Sequence, residues 1–193
     1  MPTDNDPELF ARWAAGDRAA GAALVDRHYG AVERFFATKA PERVEDLVQQ
    51  TFLACVEAAG RYRGEAGFRA FLFGVARNLL FEHIRRRVRD GRATPDLGSR
   101  SLVDLSPGVS TVVSRDLAHR QLVLTLQELP LDLQTALELY YWEELSIDEL
   151  AAVLDVPPGT VKSRLFRARA LLKERLEAAA TPVGERPRWL RTP

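Results

Sequence analysis

Cationic and aromatic side chains alternate in one short segment of this chain, Arg-Tyr-Arg-Gly-Glu-Ala-Gly-Phe-Arg at residues 61–69. Aromatic rings stack on unpaired bases, and guanidinium groups bind the phosphate backbone. The two glycines give the segment the freedom to wrap around a base that has left its stack. The segment therefore has the composition of a site for single-stranded nucleic acid.

A second cationic run, Arg-Arg-Arg-Val-Arg, occupies residues 85–89, and Arg92 follows it. Positive side chains at the end of a helix interact favourably with the negative end of the helix dipole. Short basic runs are also common on solvated surfaces. The run taken alone therefore fits a nucleic-acid contact and an ordinary helix end equally well.

The C-terminal part of the chain has the pattern of a helix-turn-helix. The sequence Ser-Ile-Asp-Glu at 146–149 is a capping box, which predicts the start of a helix. Two prolines at 157 and 158 require that helix to end near Asp155. A second helix follows Gly159, with one buried apolar stripe made of Val161, Leu165, Ala168 and Leu172.

The other sides of this second helix are cationic. At 100° per residue the far side carries Ser163, Phe166 and Arg167, one edge of the stripe carries Lys162 and Arg169, and the other edge carries Arg164. Cations on both edges suit the phosphates of the two walls of a major groove, and the far side can reach base edges. A DNA-reading helix is the prediction, although a solvated basic face has the same pattern.

The predicted helix between Val44 and Ala59 is amphipathic, with one apolar stripe of helical period. Its outward positions are Glu45, Asp46, Gln49, Gln50, Leu53 and Glu57. An exposed leucine among glutamines and carboxylates fits a protein-binding surface of mixed character. A solvated face with one stray leucine fits as well, and it is the better interpretation of this helix in isolation.

Helical periodicity runs through most of the chain and defines its organisation. It predicts helices over 17–38, with Asp17 as N-cap, over 44–59 and over 68–88, and it returns at about residue 115. Residues 93–114 lose the period and are rich in turn formers, which indicates a linker. We therefore predict an all-α fold with two small helical domains, 1–92 and 115–180, joined by a flexible linker, 93–114. A tail without a fixed fold, 181–193, follows.

Charge and cysteine content narrow the function classes. The formal net charge is zero, but residues 61–100 and 159–193 each carry +6, whereas 1–60 carries −4 and 101–158 carries −8. One cysteine and three histidines leave no disulfide framework and no metal-ligand cluster, so we expect neither metal nor cofactor. The chain shows no secretory signal and no apolar run of membrane-spanning length. A cytoplasmic protein without membrane insertion is the expectation.

Four motifs along the chain are Glu45-Asp-Leu-Val-Gln-Gln-Thr-Phe-Leu53, Phe68-Arg-Ala-Phe-Leu-Phe-Gly-Val-Ala-Arg-Asn-Leu79, Leu129-Pro, and the stretch from Leu145 to Arg169. In type and order they resemble those of bacterial RNA polymerase sigma factors of the extracytoplasmic-function (ECF) group. The resemblance covers roughly residues 7–178. It implies one domain that reads the −10 promoter element and touches the polymerase clamp. It also implies a second domain, which contains the helix-turn-helix, reads the −35 element and touches the polymerase flap.

By position, the resemblance also assigns residues to each role. The residues it assigns to binding the clamp are Asp46, Gln49, Gln50, Phe52 and Leu53. Those it assigns to binding the −10 element are Arg61, Tyr62, Arg63, Phe68, Arg69, Arg77, Asn78, Arg85, Arg86 and Arg87. Those it assigns to binding the −35 element are Thr160, Lys162, Ser163, Arg164, Phe166, Arg167 and Arg169. Gly74 and Glu144 depart from the family pattern, since Gly74 stands mid-helix where a longer residue is often found and Glu144 stands where glycine is usual.

The resemblance implies a non-enzymatic specificity subunit that docks on core polymerase, recognises both promoter elements and promotes melting. Core RNA polymerase and promoter DNA are the expected partners, and an anti-sigma protein is compatible with the family. The main alternative is a free-standing helix-turn-helix regulator of duplex DNA, which would need a dimer surface that the sequence does not show. A small hydrolase or metal enzyme would need a cluster of carboxylates, histidines or cysteines, which is also missing.

Overall fold

The computed structural model describes residues 5–91 and 117–178, and every regular element in these two ranges is helical. The predicted linker, 93–114, and tail, 181–193, lie outside the described residues. The helices are α1 (Asp6–Ala14), α2 (Arg18–Ala37), α3 (Val44–Glu57), α4 (Gly67–Arg89), α5 (Leu117–Gln127), α6 (Leu131–Tyr141), α7 (Ile147–Leu154) and α8 (Pro158–Ala178). Short 3₁₀ turns span Pro41–Arg43 and Ala59–Arg61. The predicted all-α fold is confirmed.

Helix α1 was not anticipated by the periodicity, and it closes one side of the first domain. Its Phe10 is buried, and the Phe10 ring lies 5.2 Å from that of Tyr62 and 5.0 Å from that of Phe68. The buried Asp6 carboxylate accepts from His28 Nε2 at 2.8 Å and also pairs with Arg27. Burial lowers the pKa of His28, against the opposing effect of Asp6. These polar contacts fix α1 on α2.

The helix-turn-helix of the second domain forms as the sequence indicates. The Ser146 hydroxyl accepts from Glu149 N at 3.2 Å, and the Glu149 carboxylate accepts from Ser146 N at 2.8 Å. Helix α7 ends at Leu154, and the residue that caps it, Asp155, has a left-handed φ of 53°. The predicted stripe of α8, Val161, Leu165, Ala168 and Leu172, is buried.

The turn between α6 and α7 explains why glycine is usual in the family at position 144, where this chain has glutamate. Glu144 adopts a φ of 52°, in the left-handed region that glycine reaches without steric cost. A glutamate pays roughly 1–2 kcal/mol for this conformation. The neighbouring Glu143 side chain is buried and pairs with residues of the first domain.

The two helical domains pack directly against each other. Helix α4 of the first domain lies along α7 of the second, and a Cβ built on Gly67 would lie 4.0 Å from Glu149 Oε1. The buried apolar residues of both domains belong to one continuous cluster. This contact was not predicted, because contacts between residues distant in sequence leave no periodic signature.

Two glycines at helical positions should respond oppositely to alanine. A Cβ on Gly74 in α4 meets nothing within 4 Å, so Gly74→Ala should raise the free energy of unfolding by about 1 kcal/mol. A Cβ on Gly21 in α2 would lie 2.4 Å from Trp13 Nε1, so Gly21→Ala must displace the Trp13 ring and should lower the free energy of unfolding by about 1–3 kcal/mol. Urea unfolding followed by circular dichroism measures both. A Gly21→Ala variant as stable as the wild type would contradict the packing of α1 on α2, and a destabilised Gly74→Ala variant would contradict the open space beside Gly74.

Candidate functional site

The outward face of α8 has the predicted composition. Five of its residues are exposed: Lys162, Ser163, Phe166, Arg167 and Arg169. Phe166 is 69% exposed, which makes it the most accessible large apolar residue in the part of the chain that the structure describes. Thr160 is half-buried at the start of the helix, where its carbonyl accepts from the Ser163 hydroxyl at 2.9 Å. A ring and three cations thus stand together on one accessible surface, as a DNA-reading helix requires.

Arg164 differs from the other predicted −35 residues. Its NH2 lies 3.3 Å from Asp132 Oδ2 of α6, and its side chain is only 18% exposed. The sequence placed it on an edge of the buried stripe, and the structure turns that edge towards α6. In this arrangement Arg164 is therefore not free to bind phosphate.

The segment 61–69 forms a turn in which both glycines have left-handed φ, 75° at Gly64 and 76° at Gly67. Arg61 and Arg63 are exposed on it, whereas Tyr62 is half-buried with its ring against Phe10 and Phe71. Burial raises the pKa of the Tyr62 hydroxyl, with a further contribution from Asp6. The turn therefore presents cations to solvent and keeps its tyrosine against the core.

The prediction of an accessible Phe68 ring does not hold in this structure. The pattern of residues 61–69 offers the ring for stacking on a base, but Phe68 is 2% exposed and packs against Phe10 and His28. Its position at the second residue of α4 directs it into the first domain, beside α1, a helix that the periodicity does not predict. In this structure Phe68 supports the turn and presents no ring to solvent.

Helix α4 carries the remaining predicted −10 residues in two different environments. Asn78, Arg85 and Arg86 are exposed, and Arg87 pairs with Glu42 Oε1 at 2.5 Å. Arg69 and Arg77 face the second domain instead, where their NH2 groups lie 3.7 Å from Glu143 Oε2 and Asp132 Oδ1 respectively. Burial lowers the pKa of Arg77, opposed by the charge of Asp132. Only part of the predicted −10 surface is therefore accessible.

The outward face of α3 carries Leu53 and its polar neighbours as the helical period predicts, whereas Phe52, which the resemblance alone assigns to the clamp, lies on the buried side. Leu53 is 59% exposed, Gln49 is exposed, Gln50 is half-buried and Asp46 pairs with Arg43. Phe52 is buried, with its ring centroid 6.4 Å from that of Trp13. Phe52 therefore holds α3 against α1 and does not reach the surface.

No other class of site emerges from the described residues. Within residues 5–91 and 117–178 there is no group of three or more potential metal ligands among His, Cys, Asp and Glu. No helix in these ranges is long and apolar enough to cross a membrane. Cys55 is buried, and burial raises the pKa of its thiol to about 12.

Comparison with known proteins identifies the two domains. Residues 24–90 match the family described as Sigma-70 region 2, and residues 119–172 match Sigma-70, region 4. The two matches fall on the two helical domains and leave the predicted linker between them. Together with the helical fold they define the class, a protein of the sigma-70 type.

Relatives and solved structures specify the group. The chain is 31% identical to the RNA polymerase sigma-H factor of Pseudomonas aeruginosa, over 92% of this chain and 96% of that protein. It is also 31% identical to the ECF RNA polymerase sigma-E factor of Escherichia coli K12, over 89% and 94%. The chain belongs to the ECF group of RNA polymerase sigma factors, which favours this function over a free-standing regulator.

Two solved structures are similar in fold to this chain. One is CnrH in complex with the cytosolic domain of CnrY, with a TM-score of 0.60, 28% identity, and 92% of this chain and all of that chain covered. The other is the sigma factor RpoE in complex with the anti-sigma factor NepR from Bartonella quintana, with a TM-score of 0.63, 25% identity, and coverage of 82% and 98%.

The environment of Cys55 gives a direct test of the first domain. Because the thiol is buried and its pKa is raised to about 12, it should be almost entirely protonated and shielded at pH 8. We expect no reaction with a thiol-specific maleimide in the folded protein and full reaction in urea. Rapid labelling of the folded protein would contradict the packing of α3.

Proposed function

We propose that this sigma factor divides its work between its domains as the ECF resemblance implies. The first domain, 1–92, binds the polymerase clamp and the −10 element, and the second, 115–180, binds the −35 element, with 93–114 as the linker. The proposal is carried by one observation: the outward face of α8 presents an exposed Phe166 among cations. This combination suits base edges, thymine methyls and phosphates of a major groove.

Clamp binding falls to the outward side of α3. Leu53 and Gln49 are exposed, and an accessible leucine in a polar surround has the character of an interface centre. Gln50 and Asp46 surround it, and Phe52 contributes from within the core by orienting the helix. The exposed residues proposed to bind the −10 element are Arg61, Arg63, Asn78, Arg85 and Arg86. The remaining proposed residues are covered in this structure and bind only after their side chains move; they are Tyr62, Phe68, Arg69, Arg77 and Arg87.

This activity involves no covalent chemistry. Contacts at the −35 element and the clamp fix the register, and capture of extruded −10 bases offsets the few kcal/mol that unstacking costs. Its partners, core polymerase and promoter DNA, place the chain in the cytoplasm. CnrH and RpoE were solved with partner proteins, and RpoE's partner is an anti-sigma factor; we extend an anti-sigma partner to this chain by that likeness.

Substitution of two exposed apolar residues should distinguish binding to core polymerase from recognition of promoter DNA. Leu53→Ala should weaken binding to core polymerase by about tenfold, because it removes an interface anchor without disturbing the core. Phe166→Ala should leave core binding in the absence of DNA unchanged and reduce transcription from promoters that depend on the −35 element. Fluorescence titration with core polymerase and run-off transcription on genomic fragments measure the two effects. Equal loss of core binding in both variants would exclude this division.

Two arginines of α8 should differ in what they recognise. Arg167→Ala should lower affinity by about 1–3 kcal/mol for the cognate −35 sequence and relax preference at one base position. Arg169→Ala should weaken binding to all sequences alike and reduce the salt slope by about 1. Holoenzyme binding to matched and single-substitution promoter duplexes at several salt concentrations distinguishes them. A sequence-independent loss in both variants would falsify the separate roles.

A further inference from the structure

The end of helix α6 meets one edge of α8 at a tyrosine that has no part in the proposed function. Tyr141 is the last residue of α6, and its hydroxyl oxygen accepts from Arg169 NH1 at 3.4 Å. Arg169 is exposed, whereas Tyr141 is half-buried. Because Arg169 is one of the cations proposed to bind the −35 element, this contact within the protein bears on how that element is bound.

The Tyr141 ring is held in place by its neighbour and by the core. It meets the ring of Tyr140 edge to face, with the centroids 4.9 Å apart and the planes at 87°. Both rings pack against the buried apolar cluster, and α6 itself packs along α8. The hydroxyl oxygen that accepts from Arg169 therefore has a fixed position beside α8.

The C-terminal end of α6 attracts the same arginine. A helix carries partial negative charge at this end, which favours a nearby cation. The last turn of α6 contains no basic residue of its own. Arg169 of α8 supplies the cation there, through its contact with Tyr141. The hydrogen bond and the helix dipole thus act on one guanidinium.

Another arginine of α8 shows what a charged partner does instead. Arg164 NH2 lies 3.3 Å from a carboxylate oxygen of Asp132, and only 18% of the Arg164 side chain is exposed. That carboxylate offsets the positive charge of Arg164. A phenol hydroxyl is uncharged at neutral pH, so Tyr141 orients Arg169 and leaves its charge in place. A guanidinium has five N–H donors, so one donated to Tyr141 leaves others for phosphate oxygens.

Arg169 also continues a row of cations along its edge of α8. Lys162 lies on the same edge, seven residues earlier, and is exposed. Seven residues make about two turns of helix, or about 10 Å at 1.5 Å per residue. Two cations spaced in this way can bind phosphates of one strand along a wall of the groove. The position of the Arg169 guanidinium therefore matters for contact with the DNA backbone.

We propose that Tyr141 is a positioning residue for −35 recognition, whose hydroxyl holds the Arg169 guanidinium ready to bind a backbone phosphate. This inference rests on the proposed function for the role of α8. An exposed arginine loses rotamer freedom when it binds a phosphate. A contact that restricts the side chain before DNA arrives reduces this loss, and it strengthens binding without adding a charge.

Two substitutions of Tyr141 distinguish orientation from charge. Tyr141→Phe removes the hydroxyl and keeps the ring, so the affinity of the holoenzyme for promoter DNA should fall about threefold while the salt slope stays the same. Tyr141→Glu places a carboxylate beside Arg169, so the affinity should fall about tenfold and the salt slope should decrease by about 1. Fluorescence anisotropy at several salt concentrations measures both, with a labelled promoter fragment recovered by run-off transcription as the probe.

The controls exclude a general structural defect. Tyr140→Phe is the matched control, since it removes a hydroxyl one residue away that is not a partner of Arg169 among the described residues, and it should bind as the wild type does. In an Arg169→Ala background, Tyr141→Phe should cause no further loss of affinity, because the residue that it positions is gone. Urea unfolding of Tyr141→Phe, and its binding to core polymerase without DNA, should match the wild type.

Two sets of outcomes decide between the positioning role and the surface on which it rests. Equal affinity of Tyr141→Phe and wild type overturns the positioning role and leaves the proposed function standing. An undiminished loss from Tyr141→Phe in the Arg169→Ala background does the same. If Arg167→Ala, Arg169→Ala and Phe166→Ala all bind the fragment as the wild type does, the −35 surface on α8 fails, and the positioning role fails with it.

Discussion

The buried ion pair between Lys39 and Glu138 is the interaction on which the arrangement of the two domains depends. Burial lowers the pKa of Lys39, while the charge of Glu138 and its hydrogen bond act in the opposite direction. The Lys39 ammonium also lies 4.2 Å from the centroid of the Phe35 ring. A pair of this kind adds little net stability, because desolvation cancels much of the attraction, but a misplaced partner is costly. The pair therefore favours one relative orientation of the domains without making their association strong.

The parts of the fold that the sequence predicted are those that local rules determine. The capping box at Ser146, the N-cap at Asp17 and the buried stripe of α8 each follow from residues within one or two turns of one another. Helix α1 was missed because it is short, although Pro7 in an acidic first turn is a helix-start signal. A resemblance then supplied the roles, since periodicity alone places a residue on a face but cannot say what binds there.

The errors share one physical cause, which is packing between segments distant in the sequence. Phe68 belongs to a cluster completed by α1, and a ring next to a polar run gives no sign of that partner. The helical period of α3 does predict a buried Phe52, to which only the resemblance gave a role at the clamp. Arg164 lies at the edge of its helix as expected, yet α6 supplies Asp132 beside it. The aromatic and guanidinium groups that suit nucleic acid are also those that suit a core or an ion pair. Composition therefore indicates which surfaces suit nucleic acid and cannot tell which of their side chains are already engaged within the protein.

The segregated charge of the chain takes part in this packing. Carboxylates of α6 and the following turn, Asp132, Glu138 and Glu143, lie against cations of the first domain. Because these acids and bases belong to one chain, each meets its partner at a high effective concentration. Salt screens exposed contacts more than a buried pair, so the contact between Lys39 and Glu138 depends least on ionic strength. A neutral chain with alternating charged blocks thus uses part of its acidic block to hold its two domains together, while the outward face of α8 keeps its cations exposed.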